Sequence, residues 1–426
     1  MMITVLMASF LILLLLQVPI AFAAGISSML AIVLASDLPT MLVLQRIYNT
    51  LDSFPLMAVP LFILTGQLMN TGGITRRIIN FAKIFVGGIR GGLSHVNVIA
   101  SMVFAGISGS ATADTAGIGA ILIPSMVKEG YEEDWAVGIT AASSTIGPII
   151  PPSVLMIVYG AITQLSVGRL FLAGLFPGVI IGLSLLVLGY ILAVRRHRTK
   201  SDFRISRSEA LVALGQSWPT LLAPLIIIGG VTMGVFTATE AGAVAAFYAL
   251  LLGVAYRELT WKSFLKTLSE TAKHTTIVLF LIACAATFGW VLAHQNVPQN
   301  LMAFITSLTS NNALILLMIM TLVLITGTFV DGMAIILVFA PVLFPLTTAL
   351  GFDPYHFAAV FIVAVMIGGI TPPVGILLYI SCSVGGVPVR KVSPLIWVFI
   401  ATMLVTLLLV AYIPVLSTYL PYALIK

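Results

Sequence analysis

Two acidic residues lie in otherwise apolar sequence, within short stretches of small and hydroxylated residues. Asp114 belongs to the stretch 108–115, Ser-Gly-Ser-Ala-Thr-Ala-Asp-Thr, and Asp331 to the stretch 327–332, Gly-Thr-Phe-Val-Asp-Gly. Such residues let a helix stop, turn and restart at membrane depth, where free backbone groups must face protein, water or a ligand. A carboxylate at that depth costs a few kcal/mol unless it has a partner.

Adjacent prolines interrupt two further apolar segments. Pro151-Pro152 lies in the stretch 143–153, Ser-Ser-Thr-Ile-Gly-Pro-Ile-Ile-Pro-Pro-Ser, and Pro372-Pro373 lies in the stretch 368–375, Gly-Gly-Ile-Thr-Pro-Pro-Val-Gly. Proline removes a backbone donor and disrupts the preceding turn, so carbonyl groups there lose their helical partners. Free carbonyls, hydroxyls and a carboxylate are hard oxygen ligands that suit an alkali cation, and half-helix N-termini favour an anionic group. The residues therefore predict two cation sites with an anion site between them.

The two sets of residues form an internal repeat. Gly130 precedes Pro151 by 21 residues and Gly351 precedes Pro372 by the same number, so these blocks are 221 residues apart. Asp114 and Asp331 are 217 apart, as are the prolines ten residues after each, which predicts about one extra helical turn in the second copy. A duplicated broken helix is a strong indication of a transporter binding site.

Composition indicates a protein embedded in a lipid bilayer. Hydrophobic residues make up 60% of the chain and charged residues 8%, with a mean hydropathy of +1.16. A soluble domain carries roughly 25% charged residues, and the apolar runs are too long for the strands of a membrane barrel. We therefore expect an all-α polytopic membrane protein. The net charge of +6 reflects membrane orientation rather than binding to nucleic acid.

Basic residues indicate how the chain crosses the membrane. The positive-inside rule predicts four cytoplasmic clusters: Arg76, Arg77, Lys83 and Arg90; Arg195, Arg196, Arg198, Lys200, Arg204 and Arg207; Arg257, Lys262, Lys266 and Lys273; and Arg390 and Lys391. This arrangement places hairpin 93–130 on the cytoplasmic side, hairpin 313–350 on the periplasmic side, and both termini in the periplasm. Matching sequences on opposite sides make an inverted-topology repeat, roughly 1–174 against 218–395.

These motifs resemble those of the large membrane subunit of tripartite ATP-independent periplasmic (TRAP) transporters over essentially the whole chain. The residues that carry the resemblance are Asp52-Ser53-Phe54-Pro55-Leu56 with Pro60-Leu61-Phe62, Asn70-Thr71-Gly72-Gly73-Ile74, Ser108-Gly109-Ser110-Ala111, Ala113-Asp114, Pro148-Ile149-Ile150-Pro151-Pro152-Ser153, Thr239-Glu240-Ala241-Gly242-Ala243 and Thr371-Pro372-Pro373. The resemblance implies an elevator-type, sodium-coupled importer in the bacterial inner membrane. It also implies a small four-helix membrane subunit and a periplasmic substrate-binding protein as partners.

The resemblance further implies which residues bind ions and substrate. By position in the motifs, one sodium site would comprise Ser108, Ser110, Gly147 and Pro148, and the other Gly327, Asp331, Gly369 and Thr371. Candidate substrate contacts are Thr112, Asp114, Thr145 and Ser153. The substrate would be an organic acid, namely sialic acid, another sugar acid or a four-carbon dicarboxylate, with sialic acid favoured. At least two sodium ions would be the coupling ions, without a nucleotide or a transition metal.

The implied organisation has a moving transport domain and a scaffold. The transport domain would comprise residues 93–168 and 311–388, each a re-entrant hairpin followed by a broken helix. The scaffold would comprise residues 1–92, which include a cytoplasmic arm, residues 169–310, which include a second arm, and the C-terminal helix in 389–426.

Three alternatives remain open on the sequence alone. A stand-alone sodium-coupled carboxylate carrier has a similar inverted-hairpin architecture but needs no binding protein. An intramembrane aspartyl protease would use Asp114 and Asp331 as its dyad, although neither has the Gly-x-Gly-Asp signature typical of such enzymes. A channel would conduct ions without substrate. Coupling to a nucleotide is not expected because the sequence has no phosphate-binding loop motif.

Overall fold

The computed structural model describes residues 1–196 and 207–425, and within these ranges every regular element is a helix. The first part contains α1 (Met2–Leu15), α2 (Ile20–Ala35), α3 (Met41–Leu51), α4 (Ala58–Thr71), α5 (Ile74–Val86), α6 (Gly92–Ser108), α7 (Ala111–Lys128), α8 (Glu133–Ser144), α9 (Val154–Thr163) and α10 (Val167–Arg195). The second contains α11 (Arg207–Thr232), α12 (Ala238–Ala255), α13 (Trp261–His294), α14 (Val297–Leu308), α15 (Asn312–Gly327), α16 (Gly332–Ala349), α17 (Pro354–Gly368), α18 (Ile376–Gly385), α19 (Val389–Tyr412) and α20 (Val415–Leu424). The predicted cytoplasmic residues Arg198, Lys200 and Arg204 lie outside the described residues.

Six of the described helices are long and apolar enough to cross a membrane. They are α10, α12, α13, α16, α19 and the continuous segment Phe54–Thr71, which joins a short 3-10 turn to α4. A membrane span needs about 20 apolar residues at 1.5 Å per residue, and α10 alone has 29 residues. The prediction of an all-α polytopic membrane protein is confirmed.

The N-terminal apolar run, residues 3–35, is divided into α1 and α2, which pack against each other. Gln17 between them has a left-handed backbone with φ of 61°. Pro19 then precedes the first residue of α2. Because proline cannot donate the backbone bond that a continuous helix requires, the chain turns back here.

The two halves of the chain repeat the same series of elements, and α7 corresponds to α16. Both helices begin and end 221 residues apart, since 332 − 111 and 349 − 128 are each 221. Ser110, which caps the N-terminus of α7, therefore corresponds to Asp331, which caps α16. The prediction that Asp114 corresponds to Asp331, with an extra helical turn in the second copy, was wrong. The extra residues lie in the hairpin tip, which spans 109–110 in the first copy and 328–331 in the second.

The two halves interlock by reciprocal packing. Helix α9 of the first half packs against α16 of the second, while α18 of the second packs against α7 and α8 of the first. Outside this centre, α2 packs on α13 and α12 packs on α4. Residues 135–144 of α8 and 355–368 of α17 are all buried, so the helices that precede the breaks form the centre of the molecule.

Candidate functional site

The two hairpin tips and the two broken helices enclose a cavity of about 320 Å³, here called the tip cavity. One hairpin, α6 and α7, contributes Ser108, Ser110 and Thr112, and the other, α15 and α16, contributes Asp331. Pro148 and Gly369 line the cavity from the two helix breaks. Six residues predicted from the motifs, far apart in sequence, therefore meet around one space.

The first tip is held by short-range hydrogen bonds of Ser110. Its hydroxyl accepts a bond from the backbone N–H of Ala113 at 3.4 Å and lies 3.0 Å from the Thr112 hydroxyl. This is the usual N-cap arrangement, in which a side-chain oxygen satisfies a free amide of the first turn. Gly147 of the first break lies against this tip, because a Cβ at Gly147 would be 3.2 Å from the Ser110 carbonyl carbon.

The second tip has the same construction with a carboxylate in place of the hydroxyl. Asp331 Oδ1 accepts a hydrogen bond from the Met333 amide at 2.9 Å, and the side chain is exposed to the cavity. Gly327 and Gly368 touch backbone to backbone, since a Cβ on Gly327 would lie 2.9 Å from the Gly368 Cα. The Gly375 amide donates to the Thr328 carbonyl at 2.9 Å, which fastens this tip to the second break.

Both helix breaks are built around adjacent prolines with cis peptide bonds, Pro151-Pro152 and Pro372-Pro373. Helix α8 ends at Ser144 and α9 starts at Val154, and α17 ends at Gly368 and α18 starts at Ile376. The predicted interruption of both crossing helices is therefore present in the structure.

Several predicted residues lie beside the tip cavity without lining it. Ser153 donates to the Pro148 carbonyl and caps α9 through the Met156 amide, and Thr145 donates to the Ala142 carbonyl at 2.6 Å. Both side chains are fully buried and occupied by these local bonds. Gly147, Gly327, Thr371 and Asp114 are also absent from the cavity lining.

Asp114 and Asp331 do not form a pair. Asp114 is 1% exposed and its Oδ1 accepts a hydrogen bond from Ser101, whereas Asp331 faces the cavity and caps α16. An aspartyl dyad requires two carboxyl groups that share one proton. The structure gives each of these acids a different neighbourhood, so they do not provide the protease dyad considered from the sequence.

The tip cavity is completed by polar residues to which the motifs assigned no role. They are Gln67 and Asn70 of α4 and His274 of α13. Their polarity within apolar helices was the available signal, but polarity alone does not distinguish a cavity wall from a solvent-exposed position. Among the described residues, the cavity wall contains neither lysine nor arginine.

A second cavity, of about 600 Å³ and here called the distal cavity, lies between α13 and α16. It is lined by residues 282–293 of α13 and by Ser53 and Leu56, whereas the tip cavity meets α13 at 274–278 and α4 at 63–70. The tip cavity therefore lies near the middle of α13 and the distal cavity nearer to its C-terminal end. Arg46 and Asp52 are charged residues of the distal cavity wall.

Comparison with solved structures identifies the same architecture in a known transporter. The Alcanivorax borkumensis YdaH transporter superposes with a TM-score of 0.66 over 89% of this chain and 88% of that one. The two sequences are only 12% identical, so this likeness concerns the fold alone.

Proteins found by sequence comparison share a much higher identity with this chain. The sialic acid TRAP transporter large permease protein SiaM of Vibrio cholerae is 40% identical over 404 residues, covering 95% of this chain and 94% of that protein. The C4-dicarboxylate TRAP transporter large permease protein DctM of Pseudomonas aeruginosa is also 40% identical, covering 93% of each chain. Both are named as permeases, consistent with a transporter rather than an enzyme.

The sequence profile of the tripartite ATP-independent periplasmic transporter DctM component matches residues 7–416, almost the entire chain. The broken helices, the paired hairpin tips and the polytopic fold agree with this match. This protein therefore belongs to the DctM family and is the large membrane subunit of a TRAP transporter.

Proposed function

We propose that this subunit imports an organic acid across the bacterial inner membrane, coupled to sodium entry, after a periplasmic binding protein delivers the substrate. The observation that carries the proposal is the tip cavity, where two capped hairpin tips and two helix breaks meet. Such breaks expose carbonyl oxygens for cations and helix N-termini for anions.

The sodium sites are proposed at the two contacts between a tip and a break. Ser108, Ser110, Gly147 and Pro148 supply hydroxyl and carbonyl oxygens at the first contact. The second contact offers the Asp331 carboxylate and the oxygens of Gly327, Gly369 and Thr371. The close backbone approaches at Gly147 and Gly327 support this assignment, because they bring main-chain carbonyls to the tip residues.

The substrate is proposed to occupy the space between these sites. Thr112 lines that space, and Gln67, Asn70 and His274 add hydrogen-bonding groups from the scaffold. Such polar groups suit the hydroxyls and amides of a sugar acid, while the carboxylate would face the N-terminus of α7 and bound sodium. Sialic acid is the favoured substrate, and a four-carbon dicarboxylate is the alternative that the second relative suggests.

Transport is proposed to follow an elevator movement of residues 93–168 and 311–388 against the remaining helices. The tip and distal cavities support this idea, because they lie at different levels along α13, between the proposed scaffold and the proposed moving residues. The proposed orientation has both termini in the periplasm. A small four-helix subunit would extend the scaffold, whose helices α1, α2 and α3 carry exposed apolar residues.

Uptake by the reconstituted transporter tests this function. Proteoliposomes containing this chain and its small subunit receive labelled sialic acid or labelled succinate, with and without an inward sodium gradient and the binding protein. Uptake of sialic acid that needs both the gradient and the binding protein is expected. Uptake without the binding protein would instead identify a stand-alone carrier, and sodium flux without either acid would identify a channel.

A further inference from the structure

A buried polar cluster lies outside the tip cavity, where α6, α7 and α8 meet. Its members are Asn97, Ser101, Asp114, Thr140 and Ser143, each at most 1% exposed. Asp114 is in the first turn of α7, and its amide bonds to the Ser110 carbonyl at 3.1 Å. The cluster is thus about one helical turn from the first tip.

Hydrogen bonds within the cluster satisfy only part of the acceptor capacity of the Asp114 carboxylate. The Ser101 hydroxyl donates either to Asp114 Oδ1 at 3.2 Å or to Ser143 Oγ at 3.1 Å, but it has only one hydrogen. The Ser143 hydroxyl donates to Asn97 Oδ1 at 3.0 Å or to the Thr140 carbonyl at 3.3 Å. The Asn97 amide donates to Thr140 Oγ1 at 2.7 Å, and that hydroxyl donates to the Ala136 carbonyl at 2.7 Å.

Asp114 Oδ2 has no hydrogen-bond partner although it is buried. An ionised carboxylate offers about four acceptor positions, and Asp114 receives at most one hydrogen bond. Burying a charge without a partner is costly, so Asp114 must be neutralised by a proton or by a cation.

Charged side chains of the described residues do not supply that cation. On the neighbouring helices α5 and α8, Arg77 pairs with Glu258, Glu133 pairs with Lys391, and Asp134 pairs with Arg196. His95 of α6 lies within hydrogen-bond distance of the Gly91 carbonyl. Further titratable groups on the packed helices are Arg76 and Lys83 of α5, Lys128 of α7 itself and Cys382 of α18, and Asp114 forms an ion pair with none of them.

A proton would neutralise Asp114 but would not satisfy it. Oδ2 has no hydrogen-bond partner among the described residues, and a proton would leave the oxygen lone pairs of the cluster unused. A sodium ion instead uses oxygen lone pairs, which Asp114, Ser101 and Ser143 all retain. We infer that this cluster binds a sodium ion of its own, distinct from the two proposed at the tips. The inference rests on the sodium coupling proposed above and adds a third ion to it.

Such an ion would join three helices. Ser101 is on α6, Asp114 on α7 and Ser143 on α8, so the ion would tie the first hairpin to the helix that precedes the first break. Sodium bound here would favour the arrangement in which Ser110 lies against Gly147.

Equilibrium binding of radioactive sodium tests the inference without substrate or binding protein. The number of ions bound per complex is measured for this chain with its small subunit, in nanodiscs at fixed pH. Asp114→Asn is expected to bind one sodium fewer than the wild type. Asp37→Asn is the matched control, because Asp37 is exposed on the loop after α2, and it should bind the wild-type number. An unchanged number for Asp114→Asn would overturn the inference.

Two further variants keep the test decisive. If Asp114→Asn does not assemble, Ser143→Ala removes one neutral ligand and should raise the sodium concentration for half-saturation of one ion by about tenfold. Unchanged binding curves in Ser143→Ala would contradict the site. Asp331→Asn separates this inference from the proposed function: loss of an ion there, but not in Asp114→Asn, leaves sodium coupling intact and removes only the third site.

Discussion

Asp331 has two physical roles that a single substitution can separate. Its carboxylate caps α16 through the Met333 amide and also faces the tip cavity. Asparagine caps a helix about as well as aspartate, so Asp331→Asn retains the cap while removing the charge. Alanine would remove both, at a cost of about 1 kcal/mol for the cap.

Asp331→Asn is expected to raise the sodium concentration for half-maximal uptake by about tenfold, equivalent to roughly 1.4 kcal/mol of lost cation binding. Its melting temperature should stay close to that of the wild type. Sodium titration of uptake in proteoliposomes and a thermal melt check both statements, with Asp37→Asn as the control. A wild-type sodium titration in the variant would remove Asp331 from the site.

Residue types were a good guide to the site where the backbone is irregular. Ser108, Ser110, Pro148, Asp331 and Gly369 were predicted and line the tip cavity. Thr145 and Ser153 bond instead to nearby carbonyls, a use of hydroxyls that composition cannot distinguish from substrate binding. Gln67, Asn70 and His274 were missed because their proximity to the tips depends on the packing of separate helices.

At the scale of elements, each hairpin tip depends on a close approach to a broken helix. Gly327 contacts Gly368 so closely that a methyl group would lie 2.9 Å from the Gly368 Cα. That neighbour is backbone and cannot rotate away, so the tip itself must move. Overpacking of this kind costs about 1–3 kcal/mol.

Gly327→Ala is therefore expected to reduce sodium-driven uptake at least tenfold, the equivalent of roughly 1.4 kcal/mol, and to lower thermal stability. Gly229→Ala in α11 is the matched control, because nothing lies within 4 Å of the added Cβ, and it should behave as the wild type. Both uptake and melting are measured on the purified complex. Normal uptake by Gly327→Ala would show that the tip does not need this contact.

The repeat was predicted from spacing, although its register was only partly right. The 221-residue offset extends through α7 and α16, with Ser110 at the position of Asp331. Asp114 and Asp331 have the same residue type but different positions in the repeat, so matching the two acids gave a different alignment from matching the two helix caps. The division of residues 3–35 was indicated only by Gln17 and Pro19, since both helices are apolar on all sides.

For the whole molecule, the inverted repeat requires that matching arms lie on opposite sides of the membrane. The segment before the first hairpin, residues 76–90, carries four basic residues, whereas its counterpart, residues 294–312, contains neither lysine nor arginine. Charge bias predicts orientation, but the helices alone do not show which side is cytoplasmic. Cysteine labelling can determine which side is cytoplasmic, because the native Cys284 and Cys382 are buried.

Ser310→Cys should react with a membrane-impermeant thiol reagent in intact spheroplasts, since Ser310 is exposed on the predicted periplasmic side. Lys266→Cys should react only after permeabilisation, because the Lys266 side chain is 77% exposed on the predicted cytoplasmic side. The unmodified chain controls for background labelling. Equal labelling of both positions in intact spheroplasts would contradict the inverted topology.

The central claim is that this subunit moves an organic acid together with sodium through the tip cavity. Simultaneous measurement of labelled sialic acid and radioactive sodium entering the same proteoliposomes tests it most directly, with the small subunit and the binding protein present. We predict that both labels enter together, with at least two sodium ions for each acid molecule. Entry of the acid at an unchanged rate without sodium would contradict the account.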